Sequence, residues 1–291
     1  MSRQDNPALG IYLILFAYAW FSVVDTSAKW LGMLAYPALQ LAFMRYAAHF
    51  VISTARVARN GLHWSSFKTE SPLLVIVRGF MILSGTVCNF YALKFIPLTL
   101  TSTILFSAPV IVCLLSGTML GEKVGPWRWF AVFLGFIGVL VAIRPFDESF
   151  HWAALISLFG ATCFSFYLIL TRRLAGVVSA DTLQFYAGLV GSGTLLPFAI
   201  LQWKVPATLT EWLLLIGLGV FAWIGHEILT RAYAFADASV LTPYSYAFIV
   251  YVTIWSIFIF GEYPDFWTIL GAGIIVISGL VIWKRELTIR S

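Results

Sequence analysis

The chain has 291 residues, of which 60% are apolar, 17% aromatic and only 11% charged. Because a soluble domain carries about 25% charged residues, this chain has too few polar side chains to cover a water-facing surface, which excludes a cytosolic globular protein. The formal net charge of +5 does not indicate nucleic-acid binding, since no basic run or basic helix face exceeds a few residues.

Apolar runs of about 17 to 25 residues recur along the whole chain, and each can cross a hydrocarbon core of about 30 Å as a helix. Most prolines stand at or near the ends of these runs, where a missing N–H costs least. Pro109 and Pro197 lie inside runs, and Pro243 lies about one turn into the ninth. We therefore predict an all-α integral membrane protein with ten transmembrane helices. The predicted spans are 8–28, 37–56, 73–95, 98–120, 127–144, 152–171, 181–203, 211–233, 239–260 and 267–283.

The first span has some features of a cleavable signal peptide, because Arg3 precedes it and Ala17-Tyr18-Ala19 resembles a cleavage site. We favour a retained helix, since the apolar run continues through Ala28 and the repeat described below includes this segment.

The basic residues between the spans are distributed unevenly. With ten spans both termini lie on one side of the membrane, and twelve Lys and Arg residues fall on that side against four on the other. By the positive-inside rule, this asymmetry places both termini in the cytoplasm of a cell whose plasma (inner) membrane holds the chain. The four residues on the opposite side are Lys29, Lys94, Arg144 and Lys204.

The two halves of the sequence resemble each other weakly but in the same order, with a first repeat at residues 1–146 and a second at 147–291. Five spans per repeat is an odd number, so the second copy must enter the membrane from the opposite side. Inverted repeats of this kind are typical of transporters. The matches are Leu15-Phe16, Phe21-Ser22 and Leu31 with Leu158-Phe159, Phe164-Ser165 and Leu174, Tyr91-Ala92-Leu93 with Tyr233-Ala234-Phe235, and Gly121-Glu122 with Gly261-Glu262.

The doubled Tyr-Ala-Leu/Phe before a span, the doubled Gly-Glu after it and the small residues of the last span in each half resemble the EamA-type transporters of the drug/metabolite transporter superfamily. The resemblance covers essentially the whole chain. It implies that the first four helices of each half surround a central substrate cavity, while the fifth packs outside. Within this family, the abundance of aromatic residues makes the chain most similar to the bacterial exporters of aromatic and other neutral amino acids.

Charged residues deep in a span are costly, so each is a candidate for function. Arg45 lies eight residues after Pro37, roughly 12 Å along a helix, and His49 shares its face. Arg45 either binds a substrate carboxylate or bonds helix-end carbonyls or Asp25, and the residues alone favour the structural role. Arg78 lies near the cytoplasmic end of its span, where its side chain can extend toward the lipid headgroups, and a structural role is favoured for it.

Span eight carries two further polar candidates, His226 and Glu227. The spacing to Arg231 favours an ion pair within the helix for Glu227, while His226 points elsewhere and can line the cavity. Glu122 and Glu262 are expected to tie helix ends together on opposite faces of the membrane.

The uncharged candidates lie in helices that the resemblance places around the cavity, where each is either a substrate contact or a packing residue. Aromatic walls with a few hydroxyl and amide groups suit a zwitterion with an apolar side chain. The prolines inside spans four and nine, Pro109 and Pro243, are candidate gating positions, or kinks that only shape the packing. The substrate-binding candidates are Trp20, Asn89, Tyr91, Ser107, Tyr167, Trp223, Tyr244 and Tyr246, together with Arg45 and His226.

Nothing in the sequence indicates a cofactor, a metal site or covalent chemistry. The three cysteines, Cys88, Cys113 and Cys163, are odd in number and lie inside apolar runs, as buried thiols do. No catalytic motif accompanies the Ser and His residues, which disfavours an intramembrane enzyme. A receptor or a purely structural protein leaves the inverted repeat unexplained.

The sequence therefore predicts a secondary transporter that exports small neutral metabolites, foremost aromatic amino acids, by alternating access, and that works as a monomer. A carrier of phosphorylated sugars or nucleotides would need several basic residues in mid-membrane, and an exporter of drug-like cations would need an unpaired carboxylate there. With His226 as the one evident proton carrier, we expect facilitated diffusion in preference to proton antiport.

Overall fold

The computed structural model describes residues 6–59, 68–69, 71–120, 126–174, 177–235 and 241–290. Every regular element in these ranges is helical, and two of the ten spans, the fourth and the ninth, consist of two consecutive helical pieces. The helices are α1 (Pro7–Met33), α2 (Ala38–Arg59), α3 (Pro72–Ala92), α4 (Leu98–Leu105), α5 (Ala108–Leu120), α6 (Pro126–Ile143), α7 (Ala153–Leu174), α8 (Ala180–Leu201), α9 (Leu209–Phe235), a 3₁₀ helix (Thr242–Tyr246) followed by α10 (Ala247–Phe260), and α11 (Phe266–Arg290).

Within the described residues, five helical stretches are long and apolar enough to cross a membrane on length and composition alone. Four shorter apolar helices of 10–17 residues accompany them. The predicted all-α membrane fold is thereby confirmed. The five long stretches are Ala8–Met33, Pro72–Ala92, Ala153–Thr171, Asp181–Leu201 and Leu209–Leu229.

The packing of the helices has the symmetry that an inverted repeat produces. The most extensive contacts join α1 with α9, α3 with α7, α2 with α8, and α6 with α11. In the repeat, α1 corresponds to α7 and α3 to α9, so the first two contacts are equivalent, and the other two join equivalent helices. α6 and α11 lie against each other beside α4 and α5, as the family resemblance implies. The boundary between residues 146 and 147 stays a prediction.

Helix α2 approaches α9 unusually closely at Gly219. A Cβ atom on this residue would lie 2.6 Å from the backbone carbonyl oxygen of Arg45 and 2.4 Å from the Cβ of Ala48. Because the first of these atoms belongs to the backbone, only a glycine permits this approach. The contact fixes the position of Arg45 relative to α9.

The fourth and ninth spans change conformation at corresponding places. α4 ends at Leu105, the Ser107 hydroxyl donates to the carbonyl of Ile104 (2.6 Å), and α5 begins at Ala108. Pro109 lies in the first turn of α5, where the missing N–H leaves the fewest hydrogen bonds unmade. Pro243 lies in the 3₁₀ helix that precedes α10.

The four basic residues that the sequence assigns to one side of the membrane each bind an acidic side chain or a backbone carbonyl at one end of the bundle. The best buried is Lys29, whose Nζ lies 2.7 Å from Oε2 of Glu262 and 5.2 Å from the centre of the Phe260 ring. Glu262, which the sequence predicts to tie helix ends together, thus joins the end of α10 to α1. Lys94 and Lys204 donate to the carbonyls of Tyr36 and Leu34, and Arg144 pairs with Asp265.

Replacing Lys29 with methionine is expected to destabilise the folded protein by about 3 kcal/mol, because it removes one partner of an ion pair that is largely buried. The matched control is Arg144→Met, whose pair with Asp265 is more exposed and should contribute at most about 1 kcal/mol. Thermal unfolding in detergent measures both. Equal stability losses in the two variants would contradict the larger contribution expected of the buried pair between Lys29 and Glu262.

The predicted orientation is tested by thiol labelling in a cysteine-free background. Single cysteines at Ser66 and Ser291 should react with a membrane-impermeant reagent only after the cells are opened. A cysteine at Ser149, in the loop between α6 and α7, should react in intact cells. Labelling at Ser66 in intact cells would overturn the orientation.

Candidate functional site

A small cavity lies where the first repeat meets the second. Its volume is about 20 Å³, room for about one water molecule. Cationic, imidazole, phenol and amide groups line it alongside two aliphatic side chains, so it is polar although it lies between apolar helices. The lining residues are Arg45, Tyr46, His49, Ile82, Tyr167, Gln184, Ala187 and His226.

Arg45 has unused hydrogen-bonding capacity at this cavity. Its Nη1 donates to the hydroxyl of Thr86 at 3.2 Å, and this is its one hydrogen bond to described residues. The guanidinium carries five N–H donors; its carbon lies 5.8 Å from the centre of the Phe90 ring. The Thr86 hydroxyl is also 2.8 Å from the hydroxyl of Tyr46. Arg45 is therefore held in place from one side and can still bind an oxyanion in a bidentate manner.

Arg78 has the opposite environment: its contacts agree with the structural role that the sequence favoured, but its side chain is buried between helices and does not extend to the headgroups. Its side chain is 3% exposed and donates to the hydroxyls of Thr171 (2.7 Å) and Tyr167 (3.1 Å) and to the carbonyl of Leu183 (3.1 Å). Its guanidinium also lies 4.5 Å from the centre of the Tyr167 ring. The helices α7 and α8 supply these partners at a depth where an unpaired cation is costly. Arg78 thus joins α3 to the second repeat and orients Tyr167 at the cavity.

Two histidines face each other across the cavity. The ring centres of His49 and His226 are 6.1 Å apart, and the ring of Phe21 lies 4.9 Å from that of His226. Gln184 hydrogen-bonds the side chain of His49, while the buried Nε2 of His49 has no hydrogen-bond partner in the described part of the chain. The helical spacing of His49 from Arg45 predicted that the two residues share a face, and both line the cavity. Gln184 was not among the sequence candidates.

Asn89 and Asp25 form a second polar contact beside the cavity. The Asn89 amide donates to Oδ1 of Asp25 at 3.2 Å, and the Asp25 side chain is only 7% exposed. Asn89 and Thr86 are three residues apart on α3, so they lie on the same face of this helix. Through these two residues, α3 links the carboxylate of α1 to the guanidinium of α2.

The remaining aromatic candidates lie in several places. The Trp20 ring is 5.1 Å from that of Phe221, and its buried Nε1 has no partner among the described residues. Tyr91 is 37% exposed and packs on Phe95 and Trp152, away from the cavity lining. Tyr244 is likewise 38% exposed.

Three further candidates are at least partly buried but do not line the cavity. The ring of Tyr246 packs on that of Phe106 next to the break in the fourth span. Ser107 is buried at that break, and Trp223 is partly buried in α9. Of the ten substrate-binding candidates, Arg45, Tyr167 and His226 line the cavity. Asn89 does not line it and bonds Asp25 instead.

Glu227 connects three helices at the end of the bundle opposite Lys29. Its carboxylate accepts from Arg56 of α2 at 2.6 Å and from Arg231 at 3.0 Å, and Arg56 also lies 3.6 Å from Asp181 of α8. The ion pair within α9 is therefore present, and it is part of a larger network. Glu122 lies outside the described residues. Those residues include no cluster of three His, Cys, Asp or Glu side chains that could hold a metal ion.

The comparisons with known proteins agree on one kind of activity. The riboflavin transporter of Vibrio cholerae serotype O1 is 29% identical over 288 residues, covering 98% of this chain and 96% of that protein. The S-adenosylmethionine uptake transporter of Rickettsia bellii is 30% identical over 286 residues, covering 97% of each chain. The pseudopaline exporter of Pseudomonas aeruginosa strain PAO1 is 28% identical over 278 residues, covering 95% of this chain and 96% of that protein.

One solved crystal structure shares the fold, with a TM-score of 0.65 at 20% identity over 96% of this chain and 98% of the other. The model of the EamA-like transporter family matches twice, at residues 8–144 and 151–284. The two matches cover most of the chain, and the relatives are named as transporters and not as enzymes. The chain belongs to the EamA-like transporter family and is a multi-pass membrane transporter.

Proposed function

We propose that this transporter carries small metabolites that bear a carboxylate and an apolar or aromatic portion, with neutral and aromatic amino acids as the first substrates to test. The observation that carries the proposal is the environment of Arg45, a cation at the cavity with most of its N–H donors unused. Charge-assisted, bidentate hydrogen bonds to a carboxylate are the strong interactions that such a group can make.

The surroundings of the cavity support an aromatic portion. The ring of Trp20 packs on that of Phe221, and the ring of Phe21 packs on that of His226, which lines the cavity. Riboflavin and S-adenosylmethionine, for which two relatives are named, both join a flat fused-ring heterocycle to a polar chain. An aromatic amino acid has the same division between a flat ring and a polar group.

Other substrate classes have less support. A phosphorylated sugar or nucleotide would need several cations free to bind it, and Arg78, the other deep arginine, is fully engaged by three partners. A drug-like cation would have to approach Asp25 against the positive charge of Arg45.

Transport is proposed to proceed by alternating access, with a single chain as the working unit in the plasma membrane. The breaks beside Pro109 and before α10 are the proposed places of bending, because neither span is one continuous helix there. Alternating access requires the two ends of the bundle to close in turn. The ion pair of Lys29 lies at one end and the network of Glu227 at the other, so these are the contacts proposed to hold each end closed.

Counterflow in proteoliposomes tests the proposed substrate. Vesicles loaded with unlabelled L-phenylalanine should take up radiolabelled L-phenylalanine transiently above equilibrium, and L-phenylalaninol, which lacks the carboxylate, should neither exchange nor compete. Riboflavin and S-adenosylmethionine are assayed in parallel. Exchange of phenylalaninol at the rate of phenylalanine would contradict the carboxylate requirement, and no exchange of any amino acid would contradict the amino-acid proposal.

A further inference from the structure

A buried carboxylate that the predicted transport mechanism leaves unused lies next to the cation of the site. Asp25 of α1 is 7% exposed, its one hydrogen-bond partner in the described ranges is the neutral amide of Asn89, and it has no ion pair within 4.0 Å there. A carboxylate in such a place is costly unless a positive charge compensates it.

That positive charge is Arg45. The guanidinium acts electrostatically on the Asp25 carboxylate, and the two side chains bond residues one turn apart on α3, Thr86 and Asn89. Neither Asp25 nor Arg45 forms an ion pair in direct contact within the described residues. Their opposite charges therefore compensate each other across one face of α3.

The other elements packed against α1 bring no second cation to Asp25. α4, α10 and the 3₁₀ helix contain no charged residue. On α9, His226 faces Phe21, one turn earlier in α1. Lys29, one turn after Asp25 on α1, is bound to Glu262, and Arg78 of α3 is engaged by the second repeat. The compensation of Asp25 therefore depends on Arg45.

This arrangement couples two binding events. When a substrate carboxylate binds Arg45, it neutralises the charge on which Asp25 depends, and a proton on Asp25 then removes the cost of the uncompensated carboxylate. By thermodynamic linkage, the proton tightens substrate binding by the same factor by which substrate tightens proton binding.

We propose that Asp25 is a proton-binding site and that the chain is a symporter, which carries one proton on Asp25 together with each carboxylate-bearing substrate on Arg45. The proposal rests on the proposed function. The proton comes from the aqueous side from which the substrate enters, and both are released on the other side, where Arg45 again compensates Asp25. Net flux then follows the proton gradient, in contrast to the export by facilitated diffusion that the sequence predicts. An inward proton gradient would drive uptake.

The test uses proteoliposomes with the membrane potential clamped and the lumen one pH unit more alkaline than the medium. The wild-type protein should accumulate radiolabelled L-phenylalanine up to about tenfold, the ratio that one co-transported proton supports. In Asp25→Asn, which keeps an amide-sized group beside Asn89, accumulation should vanish, while counterflow, which needs no net proton movement, should remain detectable at an altered rate.

Asp147→Asn is the matched control. Asp147 lies in the loop after α6, where hydrogen bonds from the Ser149 hydroxyl and backbone N–H lower the pKa of its carboxyl, so it stays ionised through the assay range. This variant should accumulate phenylalanine like wild type. Equal accumulation by Asp25→Asn and wild type, or accumulation only under the reversed gradient, overturns the proposal.

A substrate-free measurement separates this proposal from the proposed function. Infrared difference spectra recorded during an acid titration should show the band of a buried protonated carboxyl that is absent in Asp25→Asn. The same band should persist to higher pH in Arg45→Gln, because the compensating charge is gone. A wild-type protein without this band fails the proton proposal even if it exchanges phenylalanine, whereas the band without any exchange fails the substrate proposal alone.

Discussion

Replacing Arg45 with glutamine is expected to lower the rate of phenylalanine counterflow at low substrate concentration by about a hundredfold. A charge-assisted, bidentate contact with a carboxylate contributes about 3 kcal/mol, which is about a factor of 100 in affinity. Arg45→Lys should retain part of the rate, because it keeps the charge and loses the planar fork. Initial rates across a range of substrate concentrations measure the effect.

Arg78→Gln is the matched control for this prediction. Arg78 is an arginine in the neighbouring helix, but its donors already bond Thr171, Tyr167 and Leu183. Its loss should lower thermal stability much more than Arg45→Gln does, since buried acceptors lose their donor. If Arg45→Gln transports at the wild-type rate, or if it unfolds as readily as Arg78→Gln, Arg45 is a structural residue.

Gly219→Ala is expected to lower the unfolding temperature by about 5 °C or more and to reduce transport as well. The added Cβ would lie 2.6 Å from the backbone carbonyl of Arg45, so α2 and α9 must separate, at a cost of about 1–3 kcal/mol. Because the carbonyl belongs to Arg45, the separation also displaces the guanidinium from Thr86. Thermal unfolding in detergent and counterflow measure the two effects.

The control for this variant is Gly193→Ala in α8, where an added Cβ meets no atom within 4 Å. Both substitutions raise helix propensity by about the same amount, up to about 1 kcal/mol. Gly193→Ala should therefore be neutral or slightly stabilising. If the two alanine variants have the same stability, the close approach of α2 and α9 does not limit the fold.

The apolar pattern predicted the helices well because span length is set by the thickness of the bilayer. All ten spans have a helical counterpart, but the predicted end of the first span is wrong. The first span was predicted to end at residue 28, but α1 continues to Met33 and includes Lys29, whose charge is paired with that of Glu262 just after α10. Asp25 therefore lies eight residues before the end of α1, roughly 12 Å, and not at a membrane surface.

The site was predicted only in part, because some of its residues owe their roles to contacts between helices that are distant in the sequence. Arg45 and His226 were recognised because a polar group inside an apolar run is costly, and this is visible in one segment of sequence. The roles of Asp25, Gln184 and Arg78 depend on which helices lie beside them. Arg78 is satisfied by α7 and α8, more than 85 residues later in the chain, and no local pattern reports that contact.

The pairing of helices between the two repeats also determines when the protein can assemble during its synthesis. α1, α2, α3 and α6 each have their main partner in the second half, so the first half cannot reach its final packing when it leaves the ribosome. At about 5–20 residues per second, the second half takes roughly 7–30 s to appear. The guanidinium of Arg78 lacks its partners Tyr167, Thr171 and Leu183 until the early part of the second half has been made, roughly 2–7 s. A chain truncated after α6 lacks all three partners of this cation, so it cannot hold Arg78 at the same depth without a large energetic cost.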